Sequence, residues 1–158
     1  MAENLFPQDS DQGMQRSMQA QIEAELEKTK QENEALAQAT HSEAYAHPEA
    51  FQALEEVDEA LYDQVIKACE EVIDPELGVD IYNLGLIYAL KYDGEGHLWV
   101  TMTLTMPGCP LADVIFADLD ERLCAIESID EVKVELVWTP AWTPKRLTRY
   151  ARIALGFG

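Results

Sequence analysis

From Leu98 to Thr105 the chain alternates, with Leu98, Val100, Met102 and Leu104 separated by Trp99, Thr101, Thr103 and Thr105. A period of two puts each set on its own face of a β-strand. The alternation stops at Met106-Pro107-Gly108-Cys109-Pro110, and apolar residues resume with helical spacing at Leu111, Val114, Ile115, Leu119 and Leu123. The chain must therefore pass from strand to tight loop to helix within this stretch. Pro110 is expected at the first helical position, which puts Cys109 at the N-cap. A sulfur there lies beside unpaired backbone N–H groups and the positive end of the helix dipole, both of which favour thiolate. Cys109 is thus the candidate for a reactive or metal-binding cysteine, expected as a solitary exposed thiol.

The flanking segments supply the rest of a small domain. Asp58 can cap a helix whose apolar stripe is Leu61, Val65, Ala68, Cys69, Val72 and Ile73, and Pro75 ends it. Cys69, on the inward stripe, reads as a packing residue. Next comes an acidic loop, Asp74-Pro75-Glu76-Leu77-Gly78-Val79-Asp80-Ile81-Tyr82-Asn83-Leu84-Gly85. Its Asp, Asn and Gly residues suit turn chemistry as well as a site. A strand at about 86–92 follows, and Asp93-Gly94-Glu95-Gly96-His97 reads as a hairpin loop with His97 exposed.

The helix from about Pro110 to Ile126 is expected to pack Leu111, Ile115, Leu119, Leu123 and Ile126 on the sheet. Cys124 sits near the edge of that stripe and reads as structural. Val132, Val134, Leu136 and Trp138 alternate as a third strand. After the doubled Trp-Thr-Pro at Trp138 and Trp142, Thr143 can cap a last helix that starts at Pro144 and ends at Gly156. On it Lys145, Arg146, Arg149 and Arg152 share a face opposite Leu147, Ala151, Ala154 and Leu155. That face is either solvated or a docking surface for an acidic partner or a second subunit. The expected fold is α+β, in the order helix, strand, strand, helix, strand, helix, around a small mixed sheet of three or more strands. A sheet that small leaves an edge strand exposed, which favours a homo-oligomer.

A length of 158 residues suits one domain with a real core. The formal charge of -19 disfavours nonspecific nucleic-acid binding. No apolar run is long enough for a membrane span, and the first residues lack the basic start and apolar stretch of a signal peptide, so the cytoplasm is expected. Three cysteines at wide spacing, with no Cys-x-x-Cys pair, argue against a disulfide scaffold. His41, His47 and His97 form no ligand-spaced set for a zinc site within one chain.

The first 57 residues have a different character. Residues 1–13 are polar, include Pro7 and Gly13, and are expected to fray. Met14 to Ala39 is rich in Gln, Glu, Ala and Lys, with Met18, Ile22 and Leu26 spaced by four before Thr29 and Asn33 interrupt the stripe and Leu36 resumes it. It reads as a solvated or partly disordered helical extension, or as a partner-binding or dimerising helix. Residues 40–48, with Thr40, Ser42 and Pro48, are expected to be a linker, and Glu49 to Glu56 a short helix. The expected division is an extension and linker over 1–57 and a folded domain over 58–158.

Four stretches in order carry a family signature: Asp74-Pro75-Glu76-Leu77-Gly78, Ile81 to Tyr88, Met102 to Pro110, and the Trp-Pro segment before Leu155-Gly156. Together they resemble the MIP18 (DUF59) family, which includes the SufT-like iron-sulfur assembly factors and the PaaD-like proteins. The resemblance covers roughly residues 58–158. It implies a factor in metal-sulfur cluster biosynthesis that works with the SUF assembly machinery and client apoproteins, with the loop cysteine at its centre. Carried over by position, it implies a site of Asp74, Glu76, Thr105 and Cys109. Many relatives have a second threonine where this chain has Met106, so that hydroxyl is absent here.

A thiolate is the species that ligates iron or attacks a sulfur donor. Asp113, together with Asp74 and Glu76 if they are near, would oppose a negative sulfur and hold it toward the free-cysteine value of about 8.5. A cluster takes about four protein ligands, and one loop cysteine cannot hold it alone. The expectation is therefore transient or shared ligation of iron or an iron-sulfur cluster at Cys109, with carboxylates as optional hard ligands and no stably bound cofactor. Two alternatives stand beside it. A non-catalytic adaptor would use Cys109 and the Asp-Pro-Glu loop for packing; a cysteine-dependent enzyme would need a base, and no histidine lies in a second motif.

Overall fold

The computed structural model describes residues 9–39 and 43–157, with α1 side chains described only at Gly13 and over 15–32. Its elements in chain order are α1 (Asp9–Ala39), β1 (Gln52–Ala53), α2 (Leu54–Val57), α3 (Glu59–Glu71), β2 (Ile87–Tyr92), β3 (His97–Met102), α4 (Ala112–Cys124), β4 (Glu131–Leu136) and α5 (Arg149–Ala154). Short 3-10 turns lie at Glu43–Ala46, Pro48–Ala50 and Pro144–Arg146. The expected fraying of residues 1–8, the return of the stripe at Leu36 and the linker residues 40–42, including His41, lie outside the described residues.

The alternating segments form the centre of one mixed sheet in the order β1-β2-β3-β4. β2 and β3 are an antiparallel hairpin with Leu90 opposite Val100 and Tyr92 opposite Leu98. α4 then carries the chain across so that β4 returns parallel to β3, Val100 beside Val134 and Met102 beside Leu136. A parallel return needs such a crossover, and the helical spacing after Pro110 supplies it. The architecture is the expected α+β, with a fourth strand, β1, that two residues of sequence could not announce.

The inner face of the sheet joins Leu98, Val100 and Met102 to Val132, Val134 and Leu136, under Ile115, Leu119 and Leu123 of α4 and Leu61 and Val65 of α3. Each such side chain contributes about 2 kcal/mol by burial. The outer face is covered too. Tyr45 and Phe51 stack with centroids 5.4 Å apart, and Phe51 meets Trp99 edge-on. The Tyr45 hydroxyl donates to the carbonyls of Leu98 (3.2 Å) and Glu131 (3.0 Å). Tyr45, in the stretch expected as a linker, is therefore a packed residue, and the helix expected over Glu49 to Glu56 is instead a 3-10 turn, β1 and α2.

Several boundaries also move. α1 begins at Asp9, upstream of Met14, and no helix among the described residues is long and apolar enough to cross a membrane. Asp58 caps α3 as expected, its Oδ1 accepting from Leu61 N–H at 2.9 Å. The last helix is interrupted: Leu147 is extended (ψ 133°) and buried, so the chain restarts at Thr148, whose hydroxyl caps α5. The basic residues consequently share no single helical face. Arg146 lies 4.1 Å over the Tyr88 ring and donates to Gly85 O, while Arg149 and Lys145 remain in solvent.

Candidate functional site

The strand register gathers three connections at one end of the sheet. Ile87, which opens β2, is opposite Met102, which closes β3. Thr103 N–H donates to Leu86 O at 2.9 Å, and Val137 N–H donates to Met102 O at 2.8 Å. The 74–86 loop, the 103–111 loop and the 137–144 segment thus leave the same edge, which is the carboxyl end of the parallel pair. That is where open sheets with parallel strands place ligand sites.

Cys109 lies in the middle connection, after Gly108 at φ 73°. The structure corrects two expectations about it. The N-cap of α4 is Leu111, and Cys109 lies upstream of it, linked by Ala112 N–H donating to the Cys109 carbonyl at 3.2 Å. Pro110 and Leu111 complete a turn before the helix begins, and dipole stabilisation falls off within the first turn. Cys109 is also not the exposed cysteine. It is 9% exposed and belongs to the core cluster, whereas Cys124 is exposed.

The other two thiols are disfavoured as thiolates. Burial pushes Cys69 up to about 12, with Asp80 and Glu70 adding to it. Partial desolvation and then the neighbouring Asp120 raise Cys124, whose Sγ lies 3.9 Å from Asp120 Oδ1.

The acidic loop is largely self-satisfied. Asp74 is buried, and its Oδ1 accepts from the N–H groups of Glu76 (2.9 Å) and Leu77 (3.4 Å). Its own carbonyl accepts from Gly78 at 2.7 Å. Asp74 is thus the turn's internal anchor, while Glu76 points to solvent and Thr105 is half-buried. Asp113, in the first turn of α4, is exposed. Among the described residues no three His, Cys, Asp or Glu side chains are disposed to hold a metal ion. Asp74, Glu76 and Cys109 therefore share one sheet end without forming a ligand set.

Two features escaped the reading of the sequence. Asp80 is buried, accepts from Asn83 N–H and Nδ2 (both 2.8 Å), and Asn83 Oδ1 in turn accepts from the Thr148 hydroxyl at 2.7 Å. This chain of bonds clamps the acidic loop to the C-terminal segment; only the Asp-x-x-Asn spacing hinted at it. Thr103 is fully buried, and its hydroxyl has no hydrogen-bond partner among the described residues. The alternation had put it on the polar face. An orphaned hydroxyl there costs about 1–3 kcal/mol, and it stands where β3 gives way to the cysteine loop.

His97 is half-buried and paired, its Nδ1 2.6 Å from Asp93 Oδ2, which corrects the exposed turn histidine expected there. It opens β3 whereas Cys109 follows the strand's other end, about 17 Å away by strand rise. It is no base for that thiol.

A model of the family described as iron-sulfur cluster assembly protein matches residues 62–136. The Fe-S protein maturation auxiliary factor YitW of Bacillus subtilis is 46% identical over 63% of this chain and 98% of its own length. This chain belongs to the iron-sulfur cluster assembly protein (DUF59) family. The Fe-S protein maturation auxiliary factor SufT of Staphylococcus aureus is 49% identical over 54% of the chain and 97% of its own. Among solved structures, a DUF59 domain from Bacillus anthracis has a TM-score of 0.61 at 41% identity, covering 65% of this chain and 98% of that one. A conserved hypothetical protein from Thermotoga maritima has 0.54 at 42%, covering 61% and 92%. The stretch matched to the DUF59 family contains Asp74, Glu76, Thr105 and Cys109 and leaves α1 and α5 outside.

Proposed function

We propose that this chain is a maturation factor for iron-sulfur proteins in which Cys109 supplies one thiolate ligand to iron or a cluster in transit. Assembly machinery and client apoproteins are its partners and provide the other ligands. The observation that carries this is the 46% identity over nearly the whole length of an Fe-S protein maturation auxiliary factor. A resident cluster does not fit the described residues, since it wants about four ligands. One ligand from this chain suits a cargo that must be released.

In this reading residues 58–158 carry the chemistry. Asp74 shapes the loop, Glu76 offers an oxygen ligand at its rim, and Thr105 orients the strand end beside the thiol. Client docking on the 103–111 turn, where Gly108 already has a positive φ, uncovers Cys109. The cytoplasm is the fitting compartment, because all three cysteines are free thiols.

A second reading is an adaptor that presents no thiol. Burial of Cys109 and the use of Asp74 Oδ1 within its own turn favour it. Anaerobic transfer to an apo-client separates the two. With iron, sulfide and an apo-enzyme present, wild type is expected to speed cluster acquisition and Cys109→Ser to lose that gain. Equal rates with both proteins would leave the adaptor reading standing and sink thiol ligation.

A further inference from the structure

The segments outside the matched family region carry two uncovered apolar faces of opposite charge. On α1, Met18, Ile22 and Leu26 are 59–60% exposed. With Thr29, Pro107 and Trp138 they line a groove of about 550 Å³ beside the cysteine loop. Glu25 also lines it, and Glu23 and Glu27 follow Ile22 and Leu26 by one residue. None of these three glutamates has a salt-bridge partner among the described residues, where the pair on α1 is Lys28–Glu32.

At the other end of the chain Tyr150, Ile153 and Phe157 are 64, 69 and 48% exposed. Arg149 and Arg152 stand one residue before Tyr150 and Ile153, and neither meets a carboxylate among the described residues. This face is fixed in place. Phe157 N–H donates to Arg152 O (2.7 Å) and Gly156 N–H to Ile153 O (3.2 Å), with Gly156 at φ 79°. These two hydrogen bonds close the helix end and fix the backbone at Phe157, so less backbone ordering entropy is left to lose on binding.

We propose that the α1 groove of one chain receives the α5 face of a second copy. Apolar rows of three side chains meet, and the glutamates of one flank the arginines of the other. Because every chain carries both faces, a two-fold pair makes the contact twice. Contacts between opposite charges set the register and make the association sensitive to salt. The pairing does not depend on what Cys109 does, so its failure leaves the thiol reading untouched.

Sedimentation velocity on the full chain tests it. Wild type is expected to associate with rising concentration and to dissociate in high salt. Ile22→Asp and Ile153→Asp should each weaken association about tenfold or more, and an equimolar mixture of the two should recover part of it through the one intact contact. Glu25→Lys should weaken it as well, and Arg149→Glu in the same chain should restore it. Both isoleucines are solvent-exposed, so circular dichroism of each variant is expected to match wild type; Met18→Gln and Phe157→Ser replace any variant that does not. A wild type that stays monomeric at high micromolar concentration overturns the proposal. So does association that Ile153→Asp or its replacement leaves unchanged.

Discussion

The indole N–H of Trp138 donates to the Thr29 hydroxyl at 2.7 Å, and that hydroxyl donates in turn to the Glu25 carbonyl at 2.9 Å. Through these two bonds α1 is tied to the segment that leaves β4, beside the cysteine loop. Trp138→Phe keeps the ring and removes the donor, so it should loosen α1 by about 1 kcal/mol. Hydrogen exchange read by mass spectrometry should show faster exchange across α1 and unchanged protection in β3. Equal protection of α1 in the two proteins would mean the bond does not hold the helix.

Thiol accessibility should rank the three cysteines. At mildly alkaline pH, alkylation of the native protein is expected first at Cys124, more slowly at Cys109, and at Cys69 only on unfolding. Cys69 is buried and its thiol is pushed up to about 12, so almost no thiolate forms at mildly alkaline pH. Cys124, though raised, is open to reagent. Peptide mapping over time checks the order, and early modification of Cys109 would contradict its burial.

Asp74 and Glu76 should separate structure from surface. Asp74→Ala takes the acceptor away from two N–H groups of the turn and should cost about 1–2 kcal/mol, while Asp74→Asn, which keeps an acceptor, should cost less. Glu76→Gln, at an exposed position, should stay within about 0.5 kcal/mol of wild type. Urea midpoints measure all three.

Gly85 and Gly78 both have positive φ, 72° and 69°. A Cβ on Gly85 would run into the Arg146 backbone, whereas one on Gly78 meets open space. Gly78→Ala should therefore cost about 1 kcal/mol for the left-handed backbone alone, and Gly85→Ala more than about 2 kcal/mol. Equal urea midpoints for the two variants would contradict the close approach of the C-terminal segment.

What the sequence made legible, and what it did not, divides along the range of the interactions. The hairpin, the helix after Pro110 and the strand that follows it are all legible in local periodicity around Leu98, Ile115 and Val134. So is the position of the cysteine loop, because Pro107-Gly108 must sit between a strand and a helix. Tyr45 reaches across to Leu98 and Glu131, and β1 is two residues long, so neither leaves a periodic trace. Cys109 departs from its expected exposure for a similar reason. The Pro110–Leu111 turn folds one thiol into the core, while Cys124, one residue past the buried Leu123, turns off the packed stripe. The broken final helix depends on Leu147 finding a buried place, which the pattern of basic residues could not foretell.

The central claim is that the Cys109 thiol is what this fold exists to present. It is tested most directly by returning the chain to cells deleted for it, as wild type and as Cys109→Ser at equal abundance, and measuring the activity of an iron-sulfur enzyme. The wild-type chain should restore activity and the Cys109→Ser chain should leave it at the level of the deletion. Equal restoration by both would contradict the account.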